Sequence, residues 1–268
     1  MKQLKLLVAA LGFAACTSVY AQPIPLPAIG QLEDDNLDRV VDANGNVKTS
    51  GSLAVGDTLW AVVTFDKVLN SDNSTFFDIP APLSGGIELT GISALEIKSI
   101  VGGVATFGPN AAFEATYGAG ALAALYTQTP GNFTVGCANV ATCESTASDG
   151  ALWATFGLAD ADDFWVASGV LGFPIGTDLS VIAAANSATK VAVANYAVSV
   201  LTNNTGYIFL DQASPLSALF APGGGANQQT QIVGSGDILG GAGLTNGYLA
   251  RSDFDFTFQR AVPEPSVL

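Results

Sequence analysis

The chain has 268 residues, 49% of them hydrophobic and only 12% charged, with 30 Gly and 12 Pro. That is enough apolar material for a core and excludes a disordered chain. Its formal net charge of −14 repels phosphate, which excludes nucleic acid and anionic lipid as partners and leaves a weak attraction for divalent cations. No histidine is present, which excludes Ser-His-Asp and Cys-His catalysis and any zinc site built on imidazole.

In chain order, the first feature is an export signal, "MKQLKLLVAALGFAACTSVYAQP". Lys2 and Lys5 make a basic start, and the apolar run Leu6 to Ala15 is too short to span a bilayer comfortably. Small residues at Val19 and Ala21 predict cleavage between Ala21 and Gln22. The competing reading, lipidation of Cys16 in "FAAC", places Phe13 at an ill-fitting position. Residues 1–21 are then a signal peptide and 22–260 a single β-rich extracellular domain.

The leader "QPIPLPAIG" is extended, because alternate prolines forbid a helix. "RVVDANGNVKT" predicts a hairpin at Asn44-Gly45. Its alternating Asp42, Asn44 and Asn46 do not make an EF-hand, since Gly45 falls at the wrong position. "DTLWAVVTFDKVL" reads as a strand with both faces apolar, so both are expected to be covered. "GGIELTGISALEIKSIV" reads as the next strand. Pro109-Asn110 and Gly118 bracket the best helix candidate, one or two turns long. "ALAALYTQ" after it is ambiguous between helix and strand.

Cys137 and Cys143 remain an even pair once Cys16 leaves with the signal. Export through an oxidising compartment predicts a disulfide between them. Five intervening residues do not suit CxxC redox chemistry, and no further Cys or His completes a metal site. "GALWATFGLADADDFWVASGV" predicts strand, acidic turn, strand. The turn crowds Asp160, Asp162 and Asp163, which are either a solvated tip or a weak calcium site. Valine spacing in "KVAVANYAVSVLTNNTGYIFLDQ" predicts a β-hairpin turning at Thr205-Gly206. "APGGGANQQT" reads as a loop and "GSGDILGGAGLTNGYLA" as turn-rich. "RSDFDFTFQR" is a strand of strict period two, with Phe254, Phe256 and Phe258 on one face and Asp253, Asp255, Thr257 and Gln259 on the other. The expected fold is all-β, an antiparallel β-sandwich of jelly-roll-like or Ig-like form with room for one short helix.

Directly after that strand stand Val262, Pro263, Glu264 and Pro265, followed by Ser266. "VPEPS" at the end of an exported, Gly- and Ala-rich, Cys-poor chain resembles the PEP-CTERM sorting signal. The resemblance implies sorting by an exosortase in the membrane of a Gram-negative bacterium that makes exopolysaccharide. It implies transit through the periplasm to the outer surface or the extracellular matrix of a biofilm or floc. Val262, Pro263, Glu264 and Pro265 match the motif as they stand. The family's transmembrane helix and Arg-rich cluster, which would anchor the protein transiently in the membrane, do not follow within residues 261–268. The expectation is a fragment that begins the signal without completing it.

Three functions compete. The first is a non-enzymatic surface or matrix protein associated with exopolysaccharide, with no cofactor. The second is a calcium-dependent glycan-binding or adhesin module using Asp160, Asp162 and Asp163. The third is a carbohydrate-active enzyme, a glycoside hydrolase for example, with paired carboxylates. Glu88, Glu96 and Glu114 lie in apolar surroundings and are its candidate acids, although no motif elevates them.

Overall fold

In the computed structural model, the described residues are 21, 24–79, 86–128, 131–169, 175–184, 192–214, 216–220, 229–240 and 246–262. The first half contains strands β1 (Ile29–Val41), β2 (Val47–Lys48), β3 (Thr58–Asn70), β4 (Thr75–Asp78), β5 (Glu88–Val101) and β6 (Val104–Pro109). Helix α1 (Ala111–Tyr117), strand β7 (Ala121–Gln128) and helix α2 (Val140–Ala147) come next. Then follow β8 (Ala151–Gly157), β9 (Phe164–Gly169), helix α3 (Leu179–Ala184), β10 (Ala192–Asn203) and β11 (Gln212–Ala213). Helix α4 (Ser217–Phe220), β12 (Gln229–Thr230), β13 (Ile232–Gly240) and β14 (Ala250–Gln259) complete the chain.

The strands close into an antiparallel barrel, which corrects the sandwich expectation. Around the wall the order is β1, β3, β5, β7, β8, β10, β13, β14 and back to β1. The closing seam pairs Ile29 with Gln259 and Asp38 with Ala250. Alternating faces look the same in a sandwich and in a barrel, so sequence pattern cannot tell whether the first and last long strands meet.

Two wall positions are split. β7 pairs with Glu88–Ser93 of β5, and β6 continues the same line along Leu95–Val101. β9 pairs with Ala192–Ala197 of β10, and β8 continues along Ser199–Asn203. β6 also pairs with β9, and β7 with β8. Each split position is thus one long strand with an interruption: α1 in the first, residues 158–163 in the second. The acidic turn joins two collinear strands rather than the arms of a hairpin. With the splits joined, the wall is a plain up-and-down meander.

The interior is filled by side chains, among them Leu59, Val63, Phe65, Phe156, Trp165, Tyr196, Phe254, Phe256 and Phe258. Ile24 and Leu26 from the extended leader join this core where β1 begins. Leu53, Ile175 and Leu179 join it from connections at the opposite end. The outer face of β3 and β5 is covered too, as the apolar pattern of β3 requires. There Val62, Ile92 and Ala94 pack with Phe113 of α1 and Cys143 and Ala147 of α2. The disulfide joins Cys137 to Cys143 across a Cα separation of 5.4 Å beside this second cluster.

Local signals explain several elements. Asn110 caps α1, its Oδ1 accepting from the N–H groups of Ala112 and Phe113. Gly118 ends it at a φ of +99° that favours glycine. Asn44-Gly45 turns β1 into β2 as expected, with Gly45 N–H bonded to Asp42 O at 2.9 Å. Two other expectations need correction. Of the stretch 234–250 read as turn-rich, residues 234–240 belong to β13, where Gly234 and Gly236 are close contacts with β14 rather than turns. The "YIFL" run does not return along β10; Phe209 instead bridges Arg260. Among the described residues, no helix is long and apolar enough to cross a membrane.

Candidate functional site

The seam of the barrel carries an unusual charge. Along β1, residues alternate between the interior, where Leu32, Asn36 and Val40 are buried, and the outer surface. Glu33 and Asp35 therefore face outwards. On β14 the same alternation sends Asp253 and Asp255 outwards, opposite the buried phenylalanines. A register shift between β1 and β3 leaves Asp66 as the extra residue, beside Lys67. Closure brings these side chains around one groove of about 620 Å³, with Thr75 and Asn73 at its edge.

Two like-charged pairs stand directly opposite each other in the ladder. Glu33 faces Asp255 across β1 and β14, and Asp237 faces Asp253 across β13 and β14. Such pairs are destabilising. Partial relief comes from Lys67, whose Nζ lies 2.6 Å from Glu33 Oε2, and from Gln31, whose Nε2 donates to Asp255 Oδ1 at 2.8 Å.

Asp34 lies beneath. It is 6% exposed and borders the groove. Its Oδ1 accepts from the Phe254 N–H at 2.6 Å, while its buried Oδ2 has no hydrogen-bond partner among the described residues. Burial, with repulsion from Asp253, Asp38 and Asp255, holds the Asp34 carboxyl well above the ordinary aspartate range. Asp253 is raised by burial and by Asp255, Asp35 and Asp237. Asp255 is raised by burial and by Glu33. Burial raises Asp66 as well, against the pull of Lys67. The Lys67 ammonium is raised by its bond to Glu33 and by Asp66. All of these groups share one electrostatic problem, an excess of negative charge that is partly withdrawn from water.

The acidic tip is built differently. Asp163 is buried and turned inwards, its Oδ2 accepting from Ala159 N–H at 2.7 Å and its Oδ1 from Thr230 Oγ1 at 3.1 Å. Asp160 is exposed, and a hydrogen bond with Asp162 pushes it up to about 6. Asp163 thus anchors the turn while Asp160 and Asp162 sit outside. Among the described residues, no three acidic or Cys side chains are already gathered around a common point.

Glu88 and Glu96 stand eight residues apart on β5, Glu114 lies in α1, and each has a structural partner. Glu88 is buried and accepts from Phe133 N–H and Gln128 Nε2, both at 2.9 Å. Glu96 pairs with Lys98 at 2.9 Å. Glu114 in α1 accepts from the Gly120 N–H at 2.7 Å. Ala21 is half-buried against the barrel core, and Gln22 lies outside the described residues. Val262 is exposed, while Pro263, Glu264 and Pro265 also lie outside.

Sequence reasoning missed the groove. Asp253 and Asp255 read as the wet face of their own strand, and Glu33, Asp34, Asp35 and Asp66 drew no reading at all. The available signal was the acidic run "EDD" at 33–35 together with alternating Asp253 and Asp255. Only the pairing of β1 with β14 shows that they share a site. Compared with known proteins, the chain matches no family model, no curated protein and no solved structure.

Proposed function

We propose that this is a non-enzymatic exported protein of the surface or matrix of a Gram-negative bacterium, sorted by an exosortase-type system and associated with exopolysaccharide. The observation that carries the reading is Val262-Pro263-Glu264-Pro265, three residues beyond the end of β14, in a chain that opens on an export-type segment. A disulfide pair suits an oxidising compartment. The filled barrel core and the separate structural partners of Glu88, Glu96 and Glu114 support a structural rather than a hydrolytic role.

The test follows the tagged protein, expressed from its own gene, in cells with and without the exosortase. Wild type is expected in the matrix fraction, with its amino terminus at Gln22. Replacing Pro263, Glu264 and Pro265 together by alanine, or deleting the exosortase, is expected to hold it in the cell envelope. Unchanged matrix delivery under both changes overturns the proposal.

A further inference from the structure

The groove over the β1–β14 seam combines two observations that point to a bound cation. The first is arrangement. Glu33 opposes Asp255, and Asp35, Asp66 and Asp253 line the same groove, where Lys67 is the one cation among the described lining residues. The second is Asp34, buried under the groove with Oδ2 unpartnered among the described residues. A buried carboxylate oxygen needs a donor, a proton or a positive charge.

The donor set selects the cation. Carboxylates, the amides of Gln31 and Asn73 and the Thr75 hydroxyl line the groove. Oxygen donors without imidazole or thiolate suit calcium or magnesium rather than zinc or copper. Magnesium demands a near-ideal octahedron and holds its water, whereas calcium takes irregular carboxylate sets. Lys67 holds Glu33 and Gln31 holds Asp255, so the partly exposed side chains turn inwards by exchanging these partners when a cation meets the charge between them.

We propose that this groove is a calcium site, with Glu33, Asp35, Asp253 and Asp255 as the carboxylate ligands above Asp34. The ion bridges the first and last long strands and so locks the seam that closes the barrel. Lys67 competes for Glu33, which keeps the affinity moderate and suited to the calcium levels found outside cells. The inference does not rest on the sorting motif and stands or falls separately from it.

The experiment is a thermal melt of the purified full chain in calcium chloride, magnesium chloride, spermidine, and sodium chloride of matched ionic strength. A ligand that binds only the native state must raise Tm. Five millimolar calcium is expected to raise it by roughly 3 °C or more beyond the sodium control, with magnesium weaker. In Asp253→Asn/Asp255→Asn the calcium shift is expected to vanish while the calcium-free Tm rises, because the repulsion is gone. Glu33→Gln/Asp35→Asn gives the same result through the other strand, should the first pair fail to fold. Asp160→Asn/Asp162→Asn is expected to keep the full shift. No shift beyond sodium chloride, an equal shift with spermidine, or a shift lost only in the Asp160 and Asp162 variant each overturns the proposal.

Discussion

Tyr196 reaches through the barrel wall at Gly234. Inside, its ring stacks on Trp165 with centroids 4.1 Å apart and planes 10° from parallel. Its hydroxyl donates to the Asp255 carbonyl at 2.6 Å. A Cβ on Gly234 would collide with both the Tyr196 ring end and that carbonyl. The glycine in β13 is therefore the opening through which the tyrosine finds its acceptor. A buried hydroxyl without one would be costly.

Gly234→Ala is accordingly expected to overpack the wall and cost about 2 kcal/mol, within the usual range for extra core volume. For a domain of this size that lowers Tm by roughly 4–8 °C. Tyr196→Phe keeps the stack and loses only the hydrogen bond, at a cost of about 1 kcal/mol. Differential scanning calorimetry gives both numbers, and near-UV circular dichroism should retain the Trp165–Tyr196 signal in Tyr196→Phe. A Gly234→Ala protein as stable as wild type would refute the role assigned to the opening.

The same pair shows where sequence reading succeeds and where it stops. Period two placed Phe254, Phe256 and Phe258 on one face correctly, because each strand decides its own alternation. The helix at 111–117 was legible because Asn110 and Gly118 mark its ends locally. β13 was not legible. Its glycines look like turn residues until the Tyr196 and Phe254 rings are seen filling the space their side chains would take. β8 also misleads, since a register shift beside Trp153 puts that ring in the core together with Ala154. Closure of the barrel, and with it the acidic groove, depends on strands more than 200 residues apart. No local pattern encodes that distance.

Glu88 is the buried acid whose removal should hurt most. It holds residues 131–133 to the end of β5 through Phe133 N–H, and it fixes Gln128 across the β5–β7 ladder. Glu88→Ala strands these donors and is expected to cost about 3 kcal/mol. Glu88→Gln preserves one acceptor and the shape of the side chain, so a loss of about 1–2 kcal/mol is expected. Equilibrium urea unfolding measures both. Equal losses in the two variants would mean that charge, not hydrogen bonding, is what Glu88 supplies.

The disulfide closes a short loop, with a sequence separation of 6. In the chain-entropy model such a loop is worth about 2–3 kcal/mol. It also holds the Asn246 segment, whose Nδ2 donates to the Cys137 carbonyl at 3.3 Å. Cys137→Ala/Cys143→Ala should therefore lower Tm by roughly 4–10 °C while leaving the barrel folded. Far-UV circular dichroism checks the fold. Hydrogen exchange should show the loss of protection concentrated in residues 131–147 and around 246–249, and spread evenly if the bridge acts only on the unfolded chain.

Acid should stabilise this protein over part of the pH range, the reverse of the usual behaviour. Asp34, Asp66, Asp253 and Asp255 all have carboxyl groups raised above the ordinary aspartate value of 3.8, chiefly by burial. Asp160 is raised to about 6 by its bond with Asp162. A group with a raised folded pKa binds its proton more tightly in the native state, so stability falls as pH rises through that window. Exposed Asp42, Asp72 and Asp178 are shifted the other way by hydrogen bonds from Asn46, Ser74 and Ser180 respectively. Their contribution is present above 3.8 and is lost only below it. Between pH 7 and about 4.5 the first set dominates. Tm is therefore expected to climb as pH is lowered through this interval and to fall again in stronger acid. Asp253→Asn/Asp255→Asn should flatten the climb by removing two of the groove's carboxylates. Melts at half-unit steps of pH check the slope, and a Tm that declines steadily from pH 7 downwards would overturn the claim that the raised carboxylates dominate this interval.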